Sequence, residues 1–159
     1  MVTSPVSAIH NYRAANANLS TAGQPTEAQL AAVAADGHEV VINLALHNDP
    51  RYSLPDEPGL VKSLGMHYIH IPVQFDTPAE ADLLAFFDAM DEHQDRKILV
   101  HCAANMRVTS FLGLYFAIRQ GRSEESAFAL MKQVWQPNPV WSSFISDMLA
   151  KHKGRVSQR

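Results

Sequence analysis

The sequence predicts an α/β fold: a three-layer domain in which a short, mainly parallel central sheet is flanked by helices, with a helical C-terminal third. Three observations carry this. Short β-branched apolar runs alternate with amphipathic segments, the signature of crossover connections around a parallel sheet. Those runs are nearly continuous in their hydrophobicity, as in strands covered on both faces. Beyond Arg107 the patterns are helical only. A chain of 159 residues suits a single domain, 1–159, with one core.

The elements follow in chain order. "NANLSTAGQP" offers a strand near the N-terminus. "TEAQLAAVAADG" reads as a helix, opened by the capping box Thr26 and Gln29 and stopped at Gly37. "HEVVINLAL", "MHYIHIPV" and "KILVH" read as three buried strands. A weaker helix lies in "EPGLVKSLG", ending near Gly65. "TPAEADLLAFFDAMDEH" is the best-marked helix: Thr77 is the expected N-cap, Pro78 the first helical residue, and Glu80 the far half of a capping box. Leu83, Leu84, Phe86, Phe87 and Met90 then cluster toward one side. "RVTSFLGLYFAIRQG" is apolar on most sides and reads as a central helix. "SEESAFALMKQVW" and "PVWSSFISDMLAKHKG" read as two more.

Composition excludes several functions. The chain is 47% hydrophobic and 18% charged, with a formal net charge of −3 and no basic stripe, which argues against nucleic acid as the main ligand. No apolar stretch is long enough to span a bilayer, and the first residues lack a signal-peptide pattern, so a cytoplasmic location is expected. A single cysteine rules out an intrachain disulfide and a multi-cysteine metal site. His67 and His70 are three apart on an expected strand and point to opposite faces, which disfavours shared coordination. No metal and no cofactor is expected; Trp135, Trp141 and Phe144 read as packing or a helical contact surface, not a cofactor box.

The stretch "ILVHCAANMRVTSFLGLYF" carries the chemistry. Cys102 follows an expected strand, Ala103, Ala104, Asn105 and Met106 form a short loop, and Arg107 opens the central helix. Ligands of open α/β sheets bind beyond the carboxyl ends of the strands. Unpaired N–H groups at a helix start make an anion cradle, and a guanidinium adds a planar fork matched to tetrahedral oxyanions. Free cysteine titrates near ~8.5, and helix N-termini or nearby cations favour the thiolate. Such a thiolate, on the floor of an oxyanion cradle, can attack a bound phosphorus or sulfur atom. The competing reading is a small, inert core thiol, the commonest fate of free cysteine. The order strand, cysteine, loop, arginine, helix favours the first.

At these residues the chain resembles the cysteine-dependent protein tyrosine and dual-specificity phosphatases. It looks most like a bacterial branch of small phosphatase-like domains found alone or joined to metallo-β-lactamase-type domains. "STAGQPTEAQ", "VVINL", "HYIHIPV" before "FDTP", and "ILVHCAANMR" carry the resemblance over roughly residues 18 to 118. It implies phosphoric monoester hydrolysis through a phosphocysteine on Cys102, with a phosphorylated protein or a small phosphate ester as partner. Residues 102 to 107 would hold the phosphate, and Thr109 would support release of the Cys102 thiolate as leaving group. The family's loop places five residues, one usually glycine, between cysteine and arginine. Here there are four and no glycine. Thr109 keeps the family's hydroxyl position counted from Cys102, while Arg107 arrives one residue early. Rhodanese-type sulfurtransferases also resemble a strand–cysteine loop–helix arrangement, commonly with a loop of this length. Sulfur transfer through a persulfide, and phosphate binding without turnover, therefore stand as alternatives.

The departing oxygen of an ester needs a proton. In the resembling family an aspartate on a neighbouring loop supplies it, and Asp76, between the strand ending near Val73 and Thr77, is the candidate. Its charge could equally serve the start of the next helix. Asp82 is a weaker candidate, and Asp49 and Asp56 lie in "HNDPRYSLPDEP", a possible lid. His101 reads as a loop-ordering residue or a satisfied buried histidine, Asn105 as a residue that orients the loop or contacts a substrate, or one that tolerates an unusual backbone angle.

Overall fold

In the computed structural model, residues 6–46 and 53–153 are described. Five strands form one sheet in the order β1-β2-β5-β3-β4: β1 Arg13–Asn16, β2 Leu19–Ala22, β3 Val40–Asn43, β4 His67–His70 and β5 Ile98–His101. β2, β5, β3 and β4 run parallel, and β1 is an antiparallel hairpin partner of β2. β1 was not expected. "RAAN" has no β-branched residue and no alternation, and its register shifts between Ala14 and Asn16; pairing with β2, not propensity, makes it a strand.

The helices are α1 Glu27–Ala35, α2 Glu57–Ser63, α3 Glu80–Glu92, α4 Met106–Ile118, α5 Glu124–Ala127, α6 Ala129–Val134 and α7 Pro139–Met148, followed by a wider turn over Leu149–Lys153. Period-two alternation in the strands creates the three layers. Val40, Ile42, Ile98 and Val100 face one cluster with α3, α4 and α7. Val41 and Leu99 face the other, with Leu30 and Val33 of α1 and Val61 of α2. β3 and β5 are buried throughout, but β4 is a partly exposed edge strand, with His67 and His70 exposed, and is not covered on both faces as expected. Among the described residues no helix is long and apolar enough to cross a membrane.

The Thr26–Gln29 capping box forms in both directions. The one expected at Thr77 does not. α3 starts at Glu80 with Ala79 as N-cap and no side-chain cap, because the Thr77 N–H turns back to Gln74 O and the Glu80 carboxylate is engaged by Lys151 and His152. "SEESAFALMKQVW" is likewise two short helices that meet at Phe128. The Phe128 ring lies in a notch left by Gly113 of α4: a Cβ there would sit 2.2 Å from Phe128 Cδ1.

Candidate active site

β5 ends at His101 and delivers Cys102, 1% exposed, to the carboxyl edge of the sheet. The Cys102 N–H donates to Ala22 O of β2 at 3.3 Å. The next carbonyls turn into the protein: Ala103 O accepts from the Gln24 N–H (3.0 Å), and Ala104 O from Asn11 Nδ2 (3.1 Å). Asn105 O accepts from the N–H and the Oγ1 of Thr109, at 3.2 and 2.8 Å. α4 then begins, and the N–H groups of Met106, Arg107 and Val108 are beyond the reach of intrahelical acceptors. Its N-cap, Asn105, places no side chain over them, so the positive end of the helix is uncapped beside the thiol.

Asn105 adopts a left-handed conformation (φ 66°), which asparagine tolerates better than most residues. Its side chain also orients the loop, since Nδ2 donates to Asn11 O (2.8 Å) and Thr21 Oγ1 (3.0 Å). Asn11 and Asn105 clasp each other's segments. Gly23 lets the end of β2 lie against the loop, because a Cβ there would be 2.6 Å from Ala103 O.

Arg107 is half-buried and turns over the segment that follows β4. Its Nη1 donates to Val73 O at 2.9 Å, and its guanidinium lies 5.9 Å from the Phe75 ring centroid. Phe75 packs on Trp135 and Trp141, with centroids 5.7 and 6.0 Å away, and Phe75 O accepts from Trp141 Nε1 at 2.8 Å. Asp76 is the next residue and is exposed. The structure thus brings Arg107 to the segment that carries Asp76. Asp82 is half-buried in the first turn of α3, and burial raises its pKa. Asp56 caps α2 by accepting from the Gly59 N–H, and Asp49 lies outside the described residues. Met106 is half-buried on the first turn of α4.

Beneath the loop, His101 Nε2 is 2.6 Å from Glu57 Oε2, and both side chains are 0% exposed. Gln24 Nε2 donates to the other Glu57 oxygen at 2.9 Å, and His101 Nδ1 faces Cys102 O at 3.4 Å. Glu57, Gln24, Gly23 and Asn11 lie around the loop and were not among the expected site residues, although Gly23 and Gln24 fall within "STAGQPTEAQ". Glu57 left a weaker trace. It stands next to the capping Asp56 at the start of a weak helical pattern, where a glutamate ordinarily reads as a complement to the helix dipole.

The match to known proteins agrees with this geometry. A family model described as a DSP-PTPase phosphatase fused to NAD+ kinase matches residues 6–140. The chain belongs to this dual-specificity and tyrosine phosphatase family. The model names NAD+ kinase as fusion partner, where the sequence resemblance pointed to metallo-β-lactamase-type domains. A phosphatase-like DUF442 protein from Shewanella putrefaciens CN-32 is 32% identical over 92% of this chain and 96% of its own, with a TM-score of 0.81. The phosphatase fold recurs at lower identity. Tk-PTP in its active form aligns over 91% of this chain and 97% of its own (21% identity, TM-score 0.72). PTPMT1 aligns over 93% and 99% (15%, 0.76). No protein with a curated description is significantly similar in sequence.

Proposed function

We propose that the protein hydrolyses phosphoric monoesters through a phosphocysteine formed on Cys102. The observation that carries this is the placement of a buried thiol at the end of β5, beside the uncapped N-terminus of α4, with Arg107 on that helix's first turn. The N–H groups there and the guanidinium supply the charge stabilisation that a transferring phosphoryl group needs, without a metal. Cys102 Sγ attacks phosphorus as the ester P–O bond breaks, and Asp76 gives its proton to the departing oxygen. Water then attacks phosphorus, Asp76 takes a proton from it, and the S–P bond breaks to release phosphate and the thiolate. Thr109 braces the loop through Asn105 O; direct help to the departing sulfur requires its hydroxyl to turn from that carbonyl.

The relatives support an ester substrate. Kinase associated phosphatase was solved with its catalytic site cysteine replaced by serine. PTPMT1 was solved with PI(5)P, and a cysteine-to-serine variant of Pseudomonas aeruginosa TpbA with phosphotyrosine. A phosphorylated protein or a small phosphate ester therefore fits this chain best. The four-residue loop is compatible with the same chemistry because Asn105 absorbs the tight turn in its left-handed backbone. Cys102→Ser tests the reading. Turnover of phosphate esters is expected to vanish while saturable phosphate binding persists; equal turnover in the variant sinks it. Thiosulfate turnover without ester hydrolysis would assign the site to sulfur transfer instead, and phosphate binding by the unaltered protein without ester turnover would reduce it to a binding module.

A further inference from the structure

We propose that Glu57 is a positioning residue for the nucleophile, acting through His101. The inference rests on the reading of Cys102 as nucleophile. His101 Nε2 faces a carboxylate oxygen at 2.6 Å, and Nδ1 faces the Cys102 carbonyl at 3.4 Å. The ring is therefore held at both nitrogens, by the carboxylate of Glu57 on one side and by the main chain of the cysteine on the other.

Burial makes the arrangement consequential. Glu57 and His101 are both fully shielded from water, where a carboxylate is tolerated only if paired and hydrogen-bonded. Gln24, after β2, donates to Glu57 from its side chain and to Ala103 O from its main chain, so one residue grips both the carboxylate and the cysteine loop. From β4, Tyr68 lies close enough to Glu57 to feel its charge, and its hydroxyl accepts from Asn43 Nδ2 of β3. From the loop comes Cys102 itself. The ring thereby fixes the main chain from which the sulfur projects, and Glu57 fixes the ring.

Cys102 is the only cysteine of the chain, so its alkylation reports on it alone. Iodoacetamide rates are measured from pH 5 to 9 on the full chain, on Glu57→Gln and on Glu57→Asp, with phosphate ester kinetics on each. In Glu57→Gln, alkylation at pH 6 is expected to slow about tenfold, within what displacement of a reacting group costs. Its kcat falls with little change in KM, and Glu57→Asp recovers part of both. A second measurement reads position directly: the backbone amide shifts of residues 102 to 107 should move in Glu57→Gln and return toward those of the unaltered protein in Glu57→Asp. A folded Glu57→Gln protein that alkylates like the unaltered one, or whose loop amides do not move, overturns the proposal and leaves the phosphatase reading standing. An unaltered thiol that is inert at pH 6 overturns both, and is recognisable because the failure then lies in the unaltered protein.

Discussion

The segment that carries Asp76 is held by its neighbour, and Trp141→Phe tests what that grip does. Trp141 is fully buried, and its indole N–H donates to Phe75 O at 2.8 Å. Phenylalanine keeps an aromatic ring against Phe75, Phe111 and Phe144 but removes that donor. Phe75 is itself half-buried, so water can partly replace the lost donor, and the carbonyl contributes about 1–2 kcal/mol of destabilisation. The smaller ring leaves a void worth about 1 kcal/mol. A loss of about 2–3 kcal/mol lowers Tm by roughly 5–10 °C in a chain of this size. Kinetics carry the functional part. General acid help matters most for a poor leaving group, and it contributes about 10²–10⁴-fold in rate where it operates. With Phe75 loosened, kcat/KM on phosphotyrosine, which reports the step in which the leaving group departs, should fall about tenfold at 25 °C, a fraction of that full contribution. kcat/KM for 4-nitrophenyl phosphate, whose leaving group needs little protonation, should barely change. An equal fall in kcat/KM on both esters, or none on either, would refute the link from Trp141 through Phe75 to Asp76.

Two further predictions concern packing and pH. Gly113→Ala would ordinarily strengthen a helix by about 1 kcal/mol, but here the added methyl meets the Phe128 ring at 2.2 and 2.4 Å. Overpacking costs about 1–3 kcal/mol and should win, so thermal unfolding is expected to move down, not up. Burial holds His38 below its ordinary value of 6.5, with the Lys97 ammonium adding to the effect and Asp36 and the Val33 carbonyl opposing it. The unfolded chain therefore takes up this proton more readily than the folded one. His38 contributes stability that is complete above about pH 6.5 and is lost as pH falls through its folded value. Replacing it in His38→Gln should flatten the pH dependence of Tm between pH 5 and 7, and an unchanged slope would contradict this.

How much of this was legible in the sequence depends on the range of the interaction concerned. The four parallel strands and the Thr26 cap rest on local patterns, and they appear where those patterns put them. Cys102 and Arg107 were legible through spacing, because a strand end and a helix start fix where two such side chains emerge. The start of α3 was not. Thr77 and Glu80 have the local chemistry of a cap, but Trp141 fastens Phe75 and the Thr77 N–H closes onto Gln74. The break at Phe128 depends on a notch at Gly113, fifteen residues earlier in the chain. The edge position of β4 follows from strand order, which hydrophobic pattern does not encode. Glu57 is the sharpest case. Nothing in "DEPGLVKSLG" separates a solvated glutamate at a helix start from one sealed against His101, since the partner lies 44 positions away.

The central claim, that Cys102 bonds to phosphorus during turnover, is tested most directly by acid-quenching the enzyme midway through hydrolysis of a phosphate ester and measuring the mass of the peptide that contains residue 102. That peptide should gain the mass of one phosphoryl group while substrate remains and lose it once substrate is spent. Steady turnover with no such adduct at any quench time would contradict the account.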